Sequence, residues 1–123
     1  MNAKIRHFSD LDAWKEGHKL VLSVYRLSKF FPREEMFGLV SQMRRAAVSI
    51  TSNIAEGFSR KTAREKIQFY FLALGSVTEL QNQCIIARDT GFIAKDNFQN
   101  LFEQLIRIHK IINGLVKSAQ NRP

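Results

Sequence analysis

The scarcity of helix-breaking residues constrains the fold of this chain more than any other feature. Its 123 residues include two prolines and six glycines, and no proline stands between Pro32 and Pro123. Few breaks in a short chain mean few elements, each of them long. Strands average only five or six residues, so long elements are typical of helices. The length itself fits one domain.

Apolar residues recur at steps of three and four in four segments, which is the pattern of amphipathic helices. We predict helices over about residues 10–31, 38–56, 63–90 and 95–119. Short connections between long helices favour an antiparallel up-down-up-down four-helix bundle. The fold class is therefore all-α, with residues 1–123 forming a single four-helix-bundle domain.

Local signals set the expected helix ends. Ser9 and Asp12 resemble a capping box for the first helix, and Thr62 with Glu65 a second one for the third helix. Gly57 is expected to end the second helix in a left-handed conformation, and Gly91 the third. Gly75 lies within the third helix, where we expect close packing against a neighbour to compensate for its low helix propensity.

The apolar stripes predict which residues face the core. In the first helix they are Leu11, Trp14, His18, Val21, Tyr25 and Ser28, in a stripe widened by Leu20, Leu22, Val24 and Leu27; in the second, Leu39, Met43, Ala46, Ala47, Ile50 and Ile54. In the third they are Ile67, Tyr70, Phe71, Leu74, Val77, Thr78, Gln81, Cys84 and Ile85; in the fourth, Phe98, Leu101, Phe102, Leu105, Ile108, His109, Ile112, Leu115 and Val116. Phe30, Phe37, Phe58, Phe69, Phe92 and Ile93 fall outside these stripes or near loops, which favours self-association.

The charge balance indicates a polyanionic partner. Nineteen basic against eleven acidic residues give a net charge of +8, spread over both halves of the chain. RNA, DNA or an acidic protein would suit such a surface. A basic domain that is merely soluble is the alternative.

Two basic groups are candidate nucleic-acid-binding sites. Arg60, Lys61, Arg64 and Lys66 surround the start of the third helix, where the helix dipole also favours phosphate. The alternative is a solvated charged surface. Arg44 and Arg45 form the second group, for which we favour structural pairing with Glu56 or Glu79.

Signatures of catalysis are weak in this sequence. His18 and His109 lack the Glu-x-x-His spacing of metal sites in bundles, and we interpret both as partly buried structural residues. Cys84 lies on an apolar stripe and is expected to pack as a small hydrophobe. No Gly-x-Ser-x-Gly, phosphate-loop or Cys-x-x-Cys motif occurs. We therefore expect no enzymatic activity, no metal and no cofactor.

The sequence also suggests a compartment. A single cysteine excludes an internal disulfide framework, residues 1–10 show no signal-peptide run, and no apolar run is long enough for a bilayer. We expect a cytoplasmic protein without a membrane partner.

Several segments together resemble one family. They are Phe8–Leu11, Gln42–Ile50 with Arg44-Arg45-Ala46-Ala47, Ser52–Gly57 with Asn53-Ile54-Ala55-Glu56-Gly57, Ala73–Ser76 and Gly91–Ile93. Over about residues 8–117 the chain resembles the four-helix-bundle proteins encoded by intervening sequences in bacterial 23S rRNA genes. It is also similar to the accessory variability proteins of diversity-generating retroelements. The resemblance implies a ring-like homopentamer without known catalytic activity, and the second relationship implies contact with a reverse transcriptase and nucleic acid.

Two functional hypotheses follow. The first is a non-enzymatic oligomeric scaffold that binds RNA or DNA by sequence-blind phosphate contacts. The second is a protein-interaction module that docks a nucleic-acid enzyme such as a reverse transcriptase, with charge steering the encounter. A small-molecule or metal-binding enzyme with its site in the bundle core and an oligomer of no intrinsic activity are further alternatives.

Overall fold

A computed structural model describes residues 4–121, and in that range the chain has four long helices and no strand. The helices are α1 (Asp12–Ser28), α2 (Ser41–Ser59), α3 (Ala63–Asp89) and α4 (Lys95–Gln120). Each helix packs against the next, and α1 also packs against α4. The prediction of one all-helical, four-helix domain is confirmed. No helix within the described range combines the length and hydropathy needed to cross a bilayer.

The chain enters α1 through a short 3-10 turn, Phe8–Asp10. The Asp10 carboxylate accepts hydrogen bonds from the backbone amides of Arg6 and His7, both at 3.0 Å. These bonds hold the pKa of Asp10 below its usual value. The expected capping box of Ser9 and Asp12 is therefore wrong: the cap belongs to the 3-10 turn, and Leu11 precedes α1 without a side-chain cap.

A distorted turn, Met36–Val40, precedes α2. Gly38 lies outside helical geometry there (φ −110°, ψ −110°), and the Glu35 carboxylate accepts a hydrogen bond from the Leu39 amide at 3.3 Å. The regular helix consequently begins at Ser41, three residues later than predicted. The distortion leaves the Phe37 side chain 96% exposed.

Of the three glycines with a predicted role, Gly91 has that role, whereas Gly57 and Gly75 do not. Gly91 has φ +81° and ends α3 as predicted, with the Phe92 amide bonded to the Ala87 carbonyl. Gly57 does not end α2; it is a buried helical residue, and a Cβ there would lie 2.6 Å from Cε1 of Tyr70. Gly75 is exposed with no atom within 4 Å of an added Cβ, so the expected close packing at this glycine is wrong.

The core confirms the predicted stripe of α2 and most of that of α4. In α1 the buried residues are Ala13, Gly17, Leu20, Val24 and Ser28, whereas His18 and Tyr25 are exposed. In α3 they are Tyr70, Ala73, Ser76, Val77, Leu80, Gln83, Cys84 and Ala87, whereas Phe71 and Thr78 are exposed. Small residues occupy much of both core faces, and at Gly17 an added Cβ would lie 2.9 Å from Cγ2 of Thr51 on α2. Ile93 is buried despite lying outside a stripe, while Phe30 is 82% exposed.

Candidate nucleic-acid interface

The three-residue connection between α2 and α3 places four basic side chains together. We call Arg60, Lys61, Arg64 and Lys66 the basic corner. The Thr62 hydroxyl accepts a hydrogen bond from the Glu65 amide at 3.2 Å, which confirms Thr62 as the cap of α3. The first turn of α3 therefore begins within the corner, and its free amides add positive potential there.

Contacts within the protein orient two of the four basic side chains of the corner. The Arg60 guanidinium lies over the Phe69 ring, 4.6 Å from its centroid. The Lys66 ammonium donates to the carbonyl of Phe58 at 2.6 Å and to that of Gly57 at 3.4 Å. Lys66 thus caps the carboxyl end of α2, while Arg60 is oriented by an aromatic face.

The other two cations face solvent. Lys61 and Arg64 are exposed, and neither forms an ion pair with an acidic side chain of residues 4–121. Glu65 is the acidic residue in the first turn of α3. Exposed cations without a protein counter-charge can exchange solvent counterions for the phosphates of a nucleic acid.

Arg44 and Arg45 lie elsewhere, about 22 to 24 Å from Arg60 along the axis of α2 at about 1.5 Å per residue. The Arg44 guanidinium donates to the Ser28 hydroxyl at 2.9 Å and lies 4.5 Å from the centroid of Tyr25. Arg45 is exposed and forms no ion pair with Glu56 or Glu79. The expected pairing of the two arginines with carboxylates is therefore wrong: Arg44 is structural, but its partners are on α1.

A groove of about 540 Å³ runs beside these arginines. It is lined by Tyr25, Met36, Phe37, Val40, Ser41, Arg44, Arg45, Val48, Ser49 and Ser52. Within the described part of the chain, no carboxylate contributes to this lining. The groove thus combines apolar side chains with uncompensated positive charge.

A second surface of interest lies on α1. The rings of Trp14 and His18 are stacked, with centroids 4.8 Å apart and an angle of 9° between their planes. Phe8 contacts the same indole ring, with a centroid distance of 5.5 Å and an angle of 60°. Trp14 is partly buried against the core, as its place in the stripe of α1 predicted, whereas His18 is exposed and its stacking on Trp14 was not predicted. The spacing of four residues, which puts two side chains on one helical face, was the available signal.

The remaining candidates for chemistry are separated or buried. No group of three or more His, Cys, Asp or Glu side chains within residues 4–121 could hold a metal ion. Cys84 is fully buried, which confirms its predicted place in the core, and burial raises its pKa to about 12. Nδ1 of His109 lies 3.2 Å from the Asn113 side-chain nitrogen.

Comparisons with known proteins agree with the four-helix fold. Residues 9–114 match the model of a family described as "23S rRNA-intervening sequence protein". A solved structure of a protein with unknown function from the S23 ribosomal protein family of Bacteroides thetaiotaomicron VPI-5482 matches with a TM-score of 0.79. The two chains are 20% identical, and the match covers 85% of this chain and 95% of the other. A search of the curated proteins found no match.

Proposed function

This chain belongs to the 23S rRNA-intervening sequence protein family, and from that premise we propose that it is a non-enzymatic, basic protein that binds RNA or DNA through phosphate contacts. The observation that carries the proposal is the basic corner, where Lys61 and Arg64 face solvent beside the amino end of α3 without an acidic partner among residues 4–121. A net charge of +8 would attract any polyanion to this surface.

The geometry of the corner favours phosphate over bases. Arg60 is already oriented by Phe69, so it would lose little conformational freedom on binding. Lys61 and Arg64 can reach separate phosphates, and the amides of the first turn suit an anion. Contacts of this kind carry no sequence information, so binding should be nearly sequence-blind.

Fluorescence anisotropy with labelled RNA and DNA, measured over a range of salt concentrations, tests the proposal. We expect affinity to fall steeply as salt rises, since each phosphate contact contributes about 0.7 to 0.9 to the slope of log affinity against log salt. The variant K61Q/R64Q should bind more weakly and lower that slope by about 1.4 to 1.8.

A matched control separates the corner from net charge. The variant R26Q/K110Q removes one exposed arginine and one exposed lysine from α1 and α4, so its net charge equals that of K61Q/R64Q. It should bind nearly as the unaltered protein does. Equal losses in both double variants would assign binding to the overall charge, and no binding of any RNA or DNA at low salt would refute the proposal.

The proposal includes an antiparallel up-down-up-down order of the helices. Its support is a groove of about 400 Å³ that is lined by Leu11 just before α1, Phe58 at the end of α2, Lys66 near the start of α3 and Leu115 near the end of α4. The start of α1, the end of α2, the start of α3 and the end of α4 thus meet at one end of the bundle.

Self-association into a ring, with five copies as the preferred number, is a further part of the proposal. Leu22 on α1 is 53% exposed, and Phe71 and Leu72 on α3 are 54% and 57% exposed. Since α1 and α3 each pack on α2 and α4, these apolar patches lie on different faces. Contact between two different faces is the kind that closes a ring.

Light scattering coupled to size-exclusion chromatography measures the number of subunits directly. Leu22→Lys and Leu72→Lys should each give monomers, because each removes one of the two complementary faces. A monomeric unaltered protein would refute the ring.

We also propose that the protein works in the cytoplasm, where nucleic acid is accessible and a free thiol such as Cys84 stays reduced.

The groove beside Arg45 supports a second candidate function, the docking of a protein that acts on nucleic acid. Its apolar lining and two arginines, without a carboxylate, would suit an amphipathic helix flanked by acidic residues. Phe37→Ser should abolish co-purification of a stoichiometric protein partner, whereas Phe30→Ser, in the turn after α1 and outside the groove, should not. If both variants retained the partner equally, the groove would be excluded as its docking site.

A further inference from the structure

Four aromatic rings form a continuous row where the chain enters α1. We call His7, Phe8, Trp14 and His18 the aromatic row. Neighbouring rings contact one another at centroid distances of 4.1, 5.5 and 4.8 Å. The row ends at His18, which is exposed, and among residues 4–121 Trp14 is the ring that contacts it.

The outer end of the row opens into a groove between α1 and α4. This groove has a volume of about 530 Å³, and its lining includes Trp14, Lys15, His18, Lys19 and Ile111. The volume lies within the range of small-molecule sites. Aromatic and aliphatic side chains therefore line a groove that is large enough to hold a nucleotide.

The charges that line the groove balance, with two lysines against Asp12 and Glu16, and Arg107 beside Glu16 adds one positive charge. Glu16 is shared between Lys19, at 3.4 Å, and Arg107, at 3.8 Å, so its charge is compensated locally. Asp12 also lines the groove and lies in the first turn of α1, where the helix dipole favours a carboxylate. Lys15 is exposed and forms no ion pair with a described residue, which leaves it available to a phosphate.

We propose that the aromatic row binds an unstacked base of a single-stranded nucleic acid, which extends the stack on the exposed face of His18 while Lys15 contacts the neighbouring phosphate. Aromatic rings beside basic side chains are the usual means of binding single strands, because every base has a π-face. Bases within a duplex are already stacked on each other, so the site selects single strands. This inference rests on the proposed function in that the ligand is a nucleic acid.

Trp14 is the one tryptophan in the chain, so its fluorescence reports on this site specifically. Titration with an unlabelled single-stranded oligonucleotide should quench the emission, whereas the same sequence as a duplex, and inorganic polyphosphate, should not. Because stacking depends less on salt than phosphate contact does, quenching should persist at salt concentrations that weaken duplex binding.

Substitutions of His18 test the stacking step itself. His18→Leu keeps the Trp14 ring covered but removes the planar face, and should weaken single-strand affinity by a factor of about 5 to 150. His18→Phe restores a ring and should retain affinity, and Phe30→Ala, which removes an exposed aromatic side chain outside the groove, should have no effect. His18 is exposed, so circular dichroism should show each variant folded.

The outcomes separate this inference from the proposed function. Equal affinity of His18→Leu and the unaltered protein, or equal quenching by duplex and single strand, would overturn the stacking site and leave phosphate binding at the basic corner intact. In K61Q/R64Q, quenching by single strands should survive at a higher oligonucleotide concentration. Loss of all nucleic-acid binding at low salt would overturn both proposals.

Discussion

The contact between α1 and α2 at Gly17 allows a quantitative test of the packing. Gly17 is buried, and a Cβ at this position would lie 2.9 Å from Cγ2 of Thr51. The next atoms, Cγ2 of Ile50 at 3.9 Å and Cδ1 of Ile54 at 4.0 Å, are at ordinary contact distances. One methyl group therefore accounts for the whole conflict that Gly17→Ala would create.

Two opposing terms set the expected loss of stability for Gly17→Ala. Alanine gains about 1 kcal/mol of helix propensity over glycine, while overpacking costs about 1 to 3 kcal/mol. The net free energy of unfolding should fall by about 0 to 2 kcal/mol. Thr51→Ser removes Cγ2 and keeps the hydroxyl that donates to the Val48 carbonyl at 2.9 Å, so alone it should cost about 0.8 kcal/mol or less.

The double variant tests whether the added methyl group conflicts with Cγ2 of Thr51, because the difference in helix propensity cancels in a double-mutant cycle. Gly17→Ala with Thr51→Ser should show a favourable coupling of about 1 to 3 kcal/mol, measured by urea unfolding followed by circular dichroism. Gly75→Ala is the control: no atom lies within 4 Å of its added Cβ, so it should raise stability by about 1 kcal/mol. Additive effects of the Gly17 and Thr51 substitutions within about 0.5 kcal/mol would refute the close approach.

Three further predictions concern single groups. Because the pKa of Asp10 is lowered, its ionised carboxylate stabilises the turn before α1 at pH values above the ordinary carboxyl pKa of about 4. This stabilisation should be lost as the pH falls through the lowered pKa. The fluorescence of Trp14 should report the transition in the unaltered protein and should not show it in Asp10→Asn. With its pKa raised to about 12, Cys84 should react with a thiol reagent at pH 8 far more slowly in the folded protein than in urea, and equal rates would contradict its burial. Oε1 of Gln83 is buried without a hydrogen-bond donor among residues 4–121. Gln83→Met removes this unsatisfied oxygen and should raise the free energy of unfolding by about 1 kcal/mol. A lower free energy of unfolding would show that the hydrogen bond from the Gln83 amide to Glu79 stabilises the fold by more than the unsatisfied oxygen costs.

The sequence predicted the helices better than the faces of α1 and α3. The stripes of α2 and α4 were clear because large apolar residues such as Ile50 and Leu105 alternate with polar ones. In α1 the contact face uses Ala13 and Gly17, whose small side chains give little hydrophobic signal. In α3 apolar residues stand on both faces, so periodicity alone could not distinguish the exposed Phe71 from the buried Val77.

The candidate site was predicted in part. The order Arg60, Lys61, Thr62, Arg64 placed the basic corner correctly at the start of α3, because the Thr62 cap is a local signal. The stacking of Arg60 on Phe69 and the bond of Lys66 to the Phe58 carbonyl depend on how α2 and α3 meet. Tertiary contacts of this kind are not encoded in residue spacing along one helix.

The position of Lys66 has an electrostatic consequence for the corner. The carboxyl end of a helix exposes carbonyl oxygens that repel anions, and here it lies beside the amino end of α3. By covering the carbonyls of Gly57 and Phe58, the Lys66 ammonium masks that repulsive end. An approaching anion therefore meets the attractive pole of one helix without the opposing pole of the other.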